Sequence, residues 1–329
     1  MATALAALMS VPSMPLAPHA TPIDDLTRLG RLVTGAGPGP RLLMKRDDLL
    51  SFGCGGNKVR KMQTVVAEAL SQGADTLITC GGAQSNHARV TAAVGVALGL
   101  EVVLVLNLEG APPATPTANA RLDALFGAEI RYVPHRDDRD PAMRSVADAL
   151  RAAGRKPFIV PLGASTPLGA IGFARGVAEV AAAGARPTVI VHASSSGGTQ
   201  AGLIAGCALL GLPARVIGVS ADAPAEDLRA TVRALLHGIA DRLGARPETV
   251  GADREIDVDD RQVGEGYGVA TPASTEALEL TARSEGTLLD PVYTAKAMAG
   301  LIARLREGAF ADNDTVLFWH TGGQTGYFA

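Results

Sequence analysis

Short apolar runs alternate with amphipathic helical patterns from Met62 to the C-terminus, and few folds accept that alternation. The runs at residues 75–80 (DTLITC), 101–106 (EVVLVL), 188–192 (TVIVH), 215–220 and 315–320 are mostly apolar. A strand that is apolar on both faces has to be covered on both faces, which indicates a parallel sheet between layers of helices. Shorter strands are expected at 129–133 and 157–160, and a polar, irregular one within 253–259. The spacing predicts helices over 62–71, 85–98, 117–126, 141–153, 168–183, 198–210, 224–243, 275–284 and 294–307. Pro and Gly cluster at 163–167, so the pattern divides there into two α/β units.

The 329 residues suffice for one large or two ordinary domains, and 47% of them are apolar. No apolar run is long enough to span a bilayer. The formal net charge is -3 with both signs intermixed, so no basic face points to nucleic acid. Cys54, Cys80 and Cys207 are too few and too far apart for a disulfide framework or a zinc cluster, and no metal is expected. That usage fits a reducing compartment. Residues 1–20 are apolar and Pro-rich and lack the basic start of a secretory signal, so they read as an arm of a cytoplasmic protein.

Three glycine-containing turns carry the chemistry. Gly53–Lys61 (GCGGNKVRK) puts Asn57 and Lys58 at a helix start behind glycines that allow close backbone approach. A lysine desolvated beside other cations loses proton affinity, and its neutral amine can attack a carbonyl to form a Schiff base. The alternative is a glycine turn followed by solvated charges. Gly81–His87 (GGAQSNH) follows the 75–80 strand, where open α/β sheets bind ligands and helix amides attract a carboxylate. Ser85 alone could be only a helix cap. Ser194–Thr199 (SSSGGT) follows the 188–192 strand and offers free N–H groups under a helix dipole. It lacks the GKS/GKT and GxGxxG patterns, so it suits one phosphate rather than a nucleotide or nicotinamide dinucleotide. Tyr267 and Tyr293 each sit in a turn ahead of a helix, where half-buried packing is the usual role. Thr321 follows the last strand in HTGG.

Taken in order, KRDD (45–48), GGNKVRK (55–61), GADTLIT (73–79), QSNHAR (84–89), SSSGGTQAGL (194–203), LLDPVYTAKAMAGL (288–301) and HTGG (320–323) resemble the D-cysteine desulfhydrase and 1-aminocyclopropane-1-carboxylate (ACC) deaminase family. These are pyridoxal 5'-phosphate enzymes of the tryptophan-synthase-β fold type. The resemblance spans about residue 20 to the C-terminus. It implies fold type II: two open, twisted, mostly parallel sheets with helices on both faces and the site in the cleft between them. Residues 1–58 and 164–329 would form the large cofactor-binding domain, with 1–20 as its arm, and 59–163 the small one.

The resemblance also implies roles. Lys58 matches the lysine that forms the Schiff base and moves the Cα proton, with Asn57 beside it. Asn86 matches the partner of the cofactor's phenolic oxygen. Ser85, Asn86 and His87 match the substrate-carboxylate loop. Ser195, Ser196, Gly197, Gly198 and Thr199 match the phosphate loop. Tyr267 and Tyr293 match the tyrosines facing the substrate, and Thr321 a hydroxyl near the pyridine nitrogen. The implied reaction is α,β-elimination from a small β-substituted amino acid, D-cysteine giving pyruvate, ammonia and hydrogen sulfide. His87 and Thr294 place the chain on the desulfhydrase branch rather than with ACC deaminases, which give 2-oxobutyrate. Ala270, Cys54, Cys80 and the polar end Gln324–Tyr327 depart from the family pattern, which admits cysteate or another β-substituted alanine. A homodimer is the family's expectation. A non-catalytic ligand-binding relative is the remaining alternative.

Overall fold

The computed structural model describes residues 2–35 and 37–329. The strands are β1 (Ile23–Asp25), β2 (Arg41–Arg46), β3 (Thr76–Gly82), β4 (Glu101–Asn107), β5 (Glu129–Val133), β6 (Pro157–Ile159), β7 (Val189–Ser194), β8 (Arg215–Ser220), β9 (Asp257–Asp259) and β10 (Thr315–His320). The helices of the first half are α1 (Ala2–Ser10), α2 (Thr27–Thr34), α3 (Asn57–Ser71), α4 (Asn86–Leu98), α5 (Ala118–Leu125) and α6 (Arg139–Ala152). Those of the second half are α7 (Pro167–Ala182), α8 (Gly198–Leu210), α9 (Ala225–Leu243), α10 (Pro272–Glu285) and α11 (Thr294–Arg306).

One sheet has the order β1-β2-β10-β7-β8-β9 and the other β5-β4-β3-β6. All neighbours run parallel except β1 against β2. Side chains alternate across a strand, and here both sets are apolar. In β10, Leu317 and Trp319 join the core under α7, α8 and α9, whereas Val316 and Phe318 join the core under α2, α10 and α11. The smaller sheet repeats this: Leu77 and Leu104 face α3 and α4, and Ile78 and Val103 face α6. The expected α/β architecture, two mostly parallel sheets with helices on both faces, is thus the observed one.

The expected N-terminal arm packs on the larger unit: residues 2–10 form α1, Leu8 is fully buried, and the Arg175 guanidinium donates to the carbonyls of Leu8 (2.8 Å) and Val11. Met1, part of that expectation, lies outside the described residues. The elements β1, α2 and β2 had no counterpart in the sequence reading. They complete the larger sheet from the opposite end of the chain, with β2 paired along the whole of β10. Helix α3 starts at Asn57, directly after Gly56 (φ 95°), where the glycine turn placed a helix start, and runs on without a break through the helix expected over 62–71.

What holds that start in place is a buried charge cluster. Asp47, fully buried, accepts from Arg60 Nε and Nη2 (both 2.7 Å), Trp319 Nε1 (2.7 Å) and Thr21 Oγ1 (2.8 Å). Arg60 also donates to Glu179 Oε1 at 2.5 Å, and Lys45 Nζ donates to Glu179 Oε2 at 2.7 Å. The Asp47 carbonyl accepts from Gly56 N–H (3.2 Å), so the cluster reaches the residue ahead of α3.

Candidate active site

The carboxyl ends of β3 and β7 and the residues just beyond β8 and β10 open onto one cleft, into which the starts of α3, α4 and α8 also point. Asn57, Lys58, Ser85, Asn86, His87, Ser195, Ser196, Gly197, Thr199, Tyr267, Tyr293 and Thr321 all line it. Gly198 follows Gly197 as the first residue of α8. The residues singled out in the sequence therefore share one cavity, although they are up to 264 positions apart (Asn57 to Thr321).

Lys58 lies in the first turn of α3, half-buried, its Nζ donating to Asn57 Oδ1 (3.1 Å). Asn57 in turn donates to Thr199 Oγ1 (2.9 Å), which ties α3 to α8. Burial pulls the Lys58 pKa down to about 8, and the Arg89 guanidinium adds to that pull while Asp290 opposes it. A helix N-terminus also disfavours a cation. The glycines ahead of it have a steric reason. A Cβ on Gly56 would lie 2.9 Å from the Thr321 carbonyl oxygen, and one on Gly322 would lie 2.7 Å from the Gly56 Cα. The two turns touch backbone to backbone.

Lys61, one helical turn on and on the same face as Lys58, was not singled out from sequence. It is 1% exposed, and its ammonium donates only to the Gly163 carbonyl (3.3 Å) and Ser165 Oγ (3.0 Å). Among the described residues no carboxylate pairs with it, and burial together with Lys58 pushes its pKa well below the usual lysine value. It faces the Ser194–Thr199 turn: a Cβ on Gly198 would meet Lys61 Nζ at 3.0 Å and Ser165 Oγ at 2.7 Å. Ser196 Oγ lies 2.7 Å from Ser165 Oγ. A buried amine with no acid partner beside a helix start is suited to bind an anion.

Asn86 is oriented by its neighbours. Its Oδ1 accepts from Asn119 Nδ2 (3.0 Å) and Arg89 Nη2 (3.3 Å), and Thr325 Oγ1 donates to Asn119 Oδ1 (2.8 Å). With the amide oxygen engaged, the amide nitrogen is left to donate into the cleft. The polar C-terminal residues thus reach back to the α4 loop through Asn119.

Ser85 caps α4, its Oγ accepting from Ala88 N–H (3.2 Å). The His87 ring is buried against Thr79. Thr79 Oγ1 spends its proton on the Val160 carbonyl (2.7 Å), so at 2.7 Å it accepts from His87 Nε2. That leaves Nδ1 a buried lone pair without a partner. Burial, with Lys58 and Lys61 nearby, holds the ring neutral by pushing its pKa well below the usual histidine value.

Across the cleft the Tyr267 and Tyr293 hydroxyls are 2.6 Å apart. Asp290, fully buried against solvent, accepts from the Tyr293 and Thr294 amides (3.0 and 2.7 Å) and from Thr294 Oγ1 (2.8 Å), which sets Tyr293 at the start of α11. Burial, then Tyr267 itself, raises the Tyr293 pKa well above the ordinary phenol value, so this pair keeps its protons near neutrality. Replacing Tyr293 with Phe is expected to lower turnover by about 100-fold or more, the scale of a lost proton donor. Cofactor absorbance should be retained. Unchanged turnover would remove Tyr293 from the chemistry.

Comparison with known proteins gives a consistent picture. Residues 15–322 match the family described as pyridoxal-phosphate dependent enzyme. The chain is 38% identical, over 98% of its length, to a D-cysteine desulfhydrase of Salmonella paratyphi A, of which it covers 97%. The D-cysteine desulfhydrase of Yersinia pestis (strain Pestoides F) matches at 38% over 98% of this chain and 97% of its own. A solved structure described as an ACC deaminase homologue superposes with a TM-score of 0.90 at 34% identity, covering 100% of this chain and 97% of that one. Threonine deaminase isoform 2 from Solanum lycopersicum, at 17% identity and TM-score 0.67 over 97% and 83% of the two chains, shares the fold.

Proposed function

This chain belongs to the pyridoxal-phosphate-dependent enzymes, and we propose that it is a carbon–sulfur lyase that eliminates the β-substituent of a small amino acid, D-cysteine among its substrates. The observation that carries the reading is the pair on α3. One lysine amine is poised near neutrality, and a second is buried with no acid to balance it. The residues fit the cofactor. Lys61, Ser196, Thr199 and the Gly197–Gly198 amides would hold its phosphate, the Asn86 amide nitrogen its phenolic oxygen, and Thr321 would sit by its ring nitrogen. When bound, the group supplies an electron sink for the pair released at the substrate's Cα.

The protein's own residues do the rest. Lys58 carries the cofactor and, as a neutral amine, takes the Cα proton. Ser85 and the first α4 amides hold the substrate carboxylate. The Tyr267–Tyr293 pair faces the departing group with protons to give. The domain division at 58/59 and 163/164 follows the two sheets in this reading. We read the protein as a homodimer of the reducing cytoplasm, a setting consistent with its free thiols Cys54, Cys80 and Cys207.

Sulfide and 2-oxobutyrate assays test the branch. D-cysteine should yield sulfide and pyruvate, and ACC little 2-oxobutyrate. If 2-oxobutyrate from ACC is the only product found, the lyase reading falls and the deaminase one replaces it.

A further inference from the structure

Asp290 accounts for the placement of Tyr293, and Tyr267 needs an anchor of its own. Tyr267 lies between β9 and α10, in a segment with neither helix nor strand. Gly264, Gly266 and Gly268 around it have φ of 62°, 137° and 79°, so the chain there is held by residues that give up much freedom when ordered. Between 264 and 269 the described residues make one backbone hydrogen bond, from Val269 N–H to the Gly266 carbonyl, and it is long at 3.4 Å. With 44% of its surface exposed, Tyr267 gets only part of its placement from packing.

What grips the segment from outside is Lys296. It is fully buried, and its Nζ donates to the carbonyls of Val263 (2.7 Å), Gly266 (2.9 Å) and Ala221 (3.2 Å). These three bonds use every proton an ammonium has. Gly266 is the residue before Tyr267, and Ala221 the residue before Asp222, which lines the cleft. The position is costly for a cation. Lys296 stands in the first turn of α11, where the helix dipole opposes positive charge. Asp222, the acid whose charge reaches it, pairs with Arg136 instead. For packing alone an apolar side chain would serve, as the fully buried Ala297 and Met298 beside it do. Among the described residues Lys296 is not part of the cleft lining, so its ammonium acts on the site through the backbone it binds.

We infer that Lys296 is a positioning residue for the elimination: its ammonium ties the Tyr267 segment and the Asp222 turn to the start of α11 and so holds the Tyr267 hydroxyl against that of Tyr293. The inference rests on the lyase reading above and adds to it how the proton-giving pair is assembled. Both hydroxyls are referred to one short stretch of chain. Asp290 takes the Tyr293 and Thr294 amides, and Lys296, on the next turn of backbone, takes the segment that carries Tyr267. The outcome is the 2.6 Å contact between the hydroxyls, with the rings edge to face and their centroids 5.8 Å apart. A contact that short weakens steeply when either partner shifts. Without the ammonium three carbonyls lose their donor, and the glycine-rich segment is free to turn them toward water.

The test is a double-mutant cycle on the holoenzyme with D-cysteine, following pyruvate and sulfide in wild type, Lys296→Met, Tyr267→Phe and the double variant. Lys296→Met should lower kcat by about 10- to 100-fold, the scale of a reacting group displaced by about an ångström. KM should change little, and the absorbance of the lysine-bound cofactor should be retained. In the Tyr267→Phe background the same substitution should cost little more, because the hydroxyl it positions is already gone. Amide hydrogen exchange over 264–269 should quicken in Lys296→Met while that of the phosphate turn at 195–199 stays as in wild type. Lys296→Gln keeps a donor on a neutral side chain and should recover part of kcat, and should Lys296→Met fail to fold, the cycle run with Lys296→Gln decides. Equal losses with and without the Tyr267 hydroxyl would overturn the inference, since a lysine that only supports the fold acts on both alike. So would unchanged exchange over 264–269. A wild-type holoenzyme that yields neither pyruvate nor sulfide from D-cysteine would overturn the lyase reading and this inference with it.

Discussion

Lys58→Ala is expected to give a colourless protein. The absorbance of the lysine-bound cofactor should be absent, and elimination should fall by about 10⁴-fold or more, since the attacking amine and the base are lost together. The wild-type pH dependence carries the same signature. Only the neutral amine attacks a carbonyl, and burial has drawn the Lys58 pKa down to about 8. Loading of free pyridoxal phosphate onto apoprotein should therefore speed up as pH rises and level off above about pH 8. An unperturbed lysine would still be accelerating at pH 10. Stopped-flow absorbance across that range checks it. Phosphate binding is a separate matter, because Lys61 and the α8 turn are untouched in the variant. Inorganic phosphate should still protect the Lys58→Ala apoprotein against thermal unfolding. A wild-type protein that takes up no colour would overturn the assignment of Lys58.

Much of this site was readable before any coordinates, and the reason is local. Lys58, Ser85, Ser196 and Thr199 each stand in a turn where an apolar run ends and a helix begins. In a parallel sheet all such turns after the strands lie on one edge, so separate sequence stretches converge without any long-range information. The strand alternation worked for the same reason, as Leu317 and Phe318 are both apolar because both faces of β10 are covered.

What escaped is what depends on pairing at a distance. Lys61 looked like one more charge in a basic stretch, and only its lack of an acid partner in three dimensions marks it out. A pair of lysines at i and i+3 behind a glycine turn was the available signal. Asn119, Thr325, Arg136, Arg139 and Asp222 reach the cleft or its supports from loops and helix starts that no local pattern distinguishes. The orientation of the His87 ring was not legible, because it turns on where Thr79 sends its proton, which requires Val160 to be in place. The strand β2 was missed because its last residues, Lys45 and Arg46, look like surface charges, whereas Lys45 is 1% exposed.

That buried lysine belongs to the cluster whose disruption should cost the fold most. Arg60→Met keeps an unbranched, apolar stem and removes the guanidinium with its charge. It leaves Asp47, fully buried, with only Trp319 and Thr21 as side-chain donors, and leaves Glu179 to Lys45 and the Thr21 amide. Removing one partner of a buried ion pair exposes the full desolvation cost of the other, about 3–5 kcal/mol. Urea unfolding of the apoprotein should show that loss as a lower midpoint at similar slope. The sign of the pH effect follows from the carboxylates. Arg60 holds Asp47 and Glu179 below their ordinary values against the opposing effect of burial. Their contribution is therefore present above the unfolded carboxylate pKa, near 4, and is lost as pH falls through the lower folded values. In the variant that depression is gone and burial dominates, so acid unfolding should begin at higher pH than in the wild type. Pairing Arg60→Met with Asp47→Leu removes both charges and should recover part of the stability, because the unpaired buried carboxylate, rather than the missing attraction, carries most of the cost. A single variant that loses under about 1 kcal/mol would show the cluster to be solvated in solution. It would also leave the position of α3, which begins one residue after the Gly56 amide bound by Asp47, to the glycine turn alone.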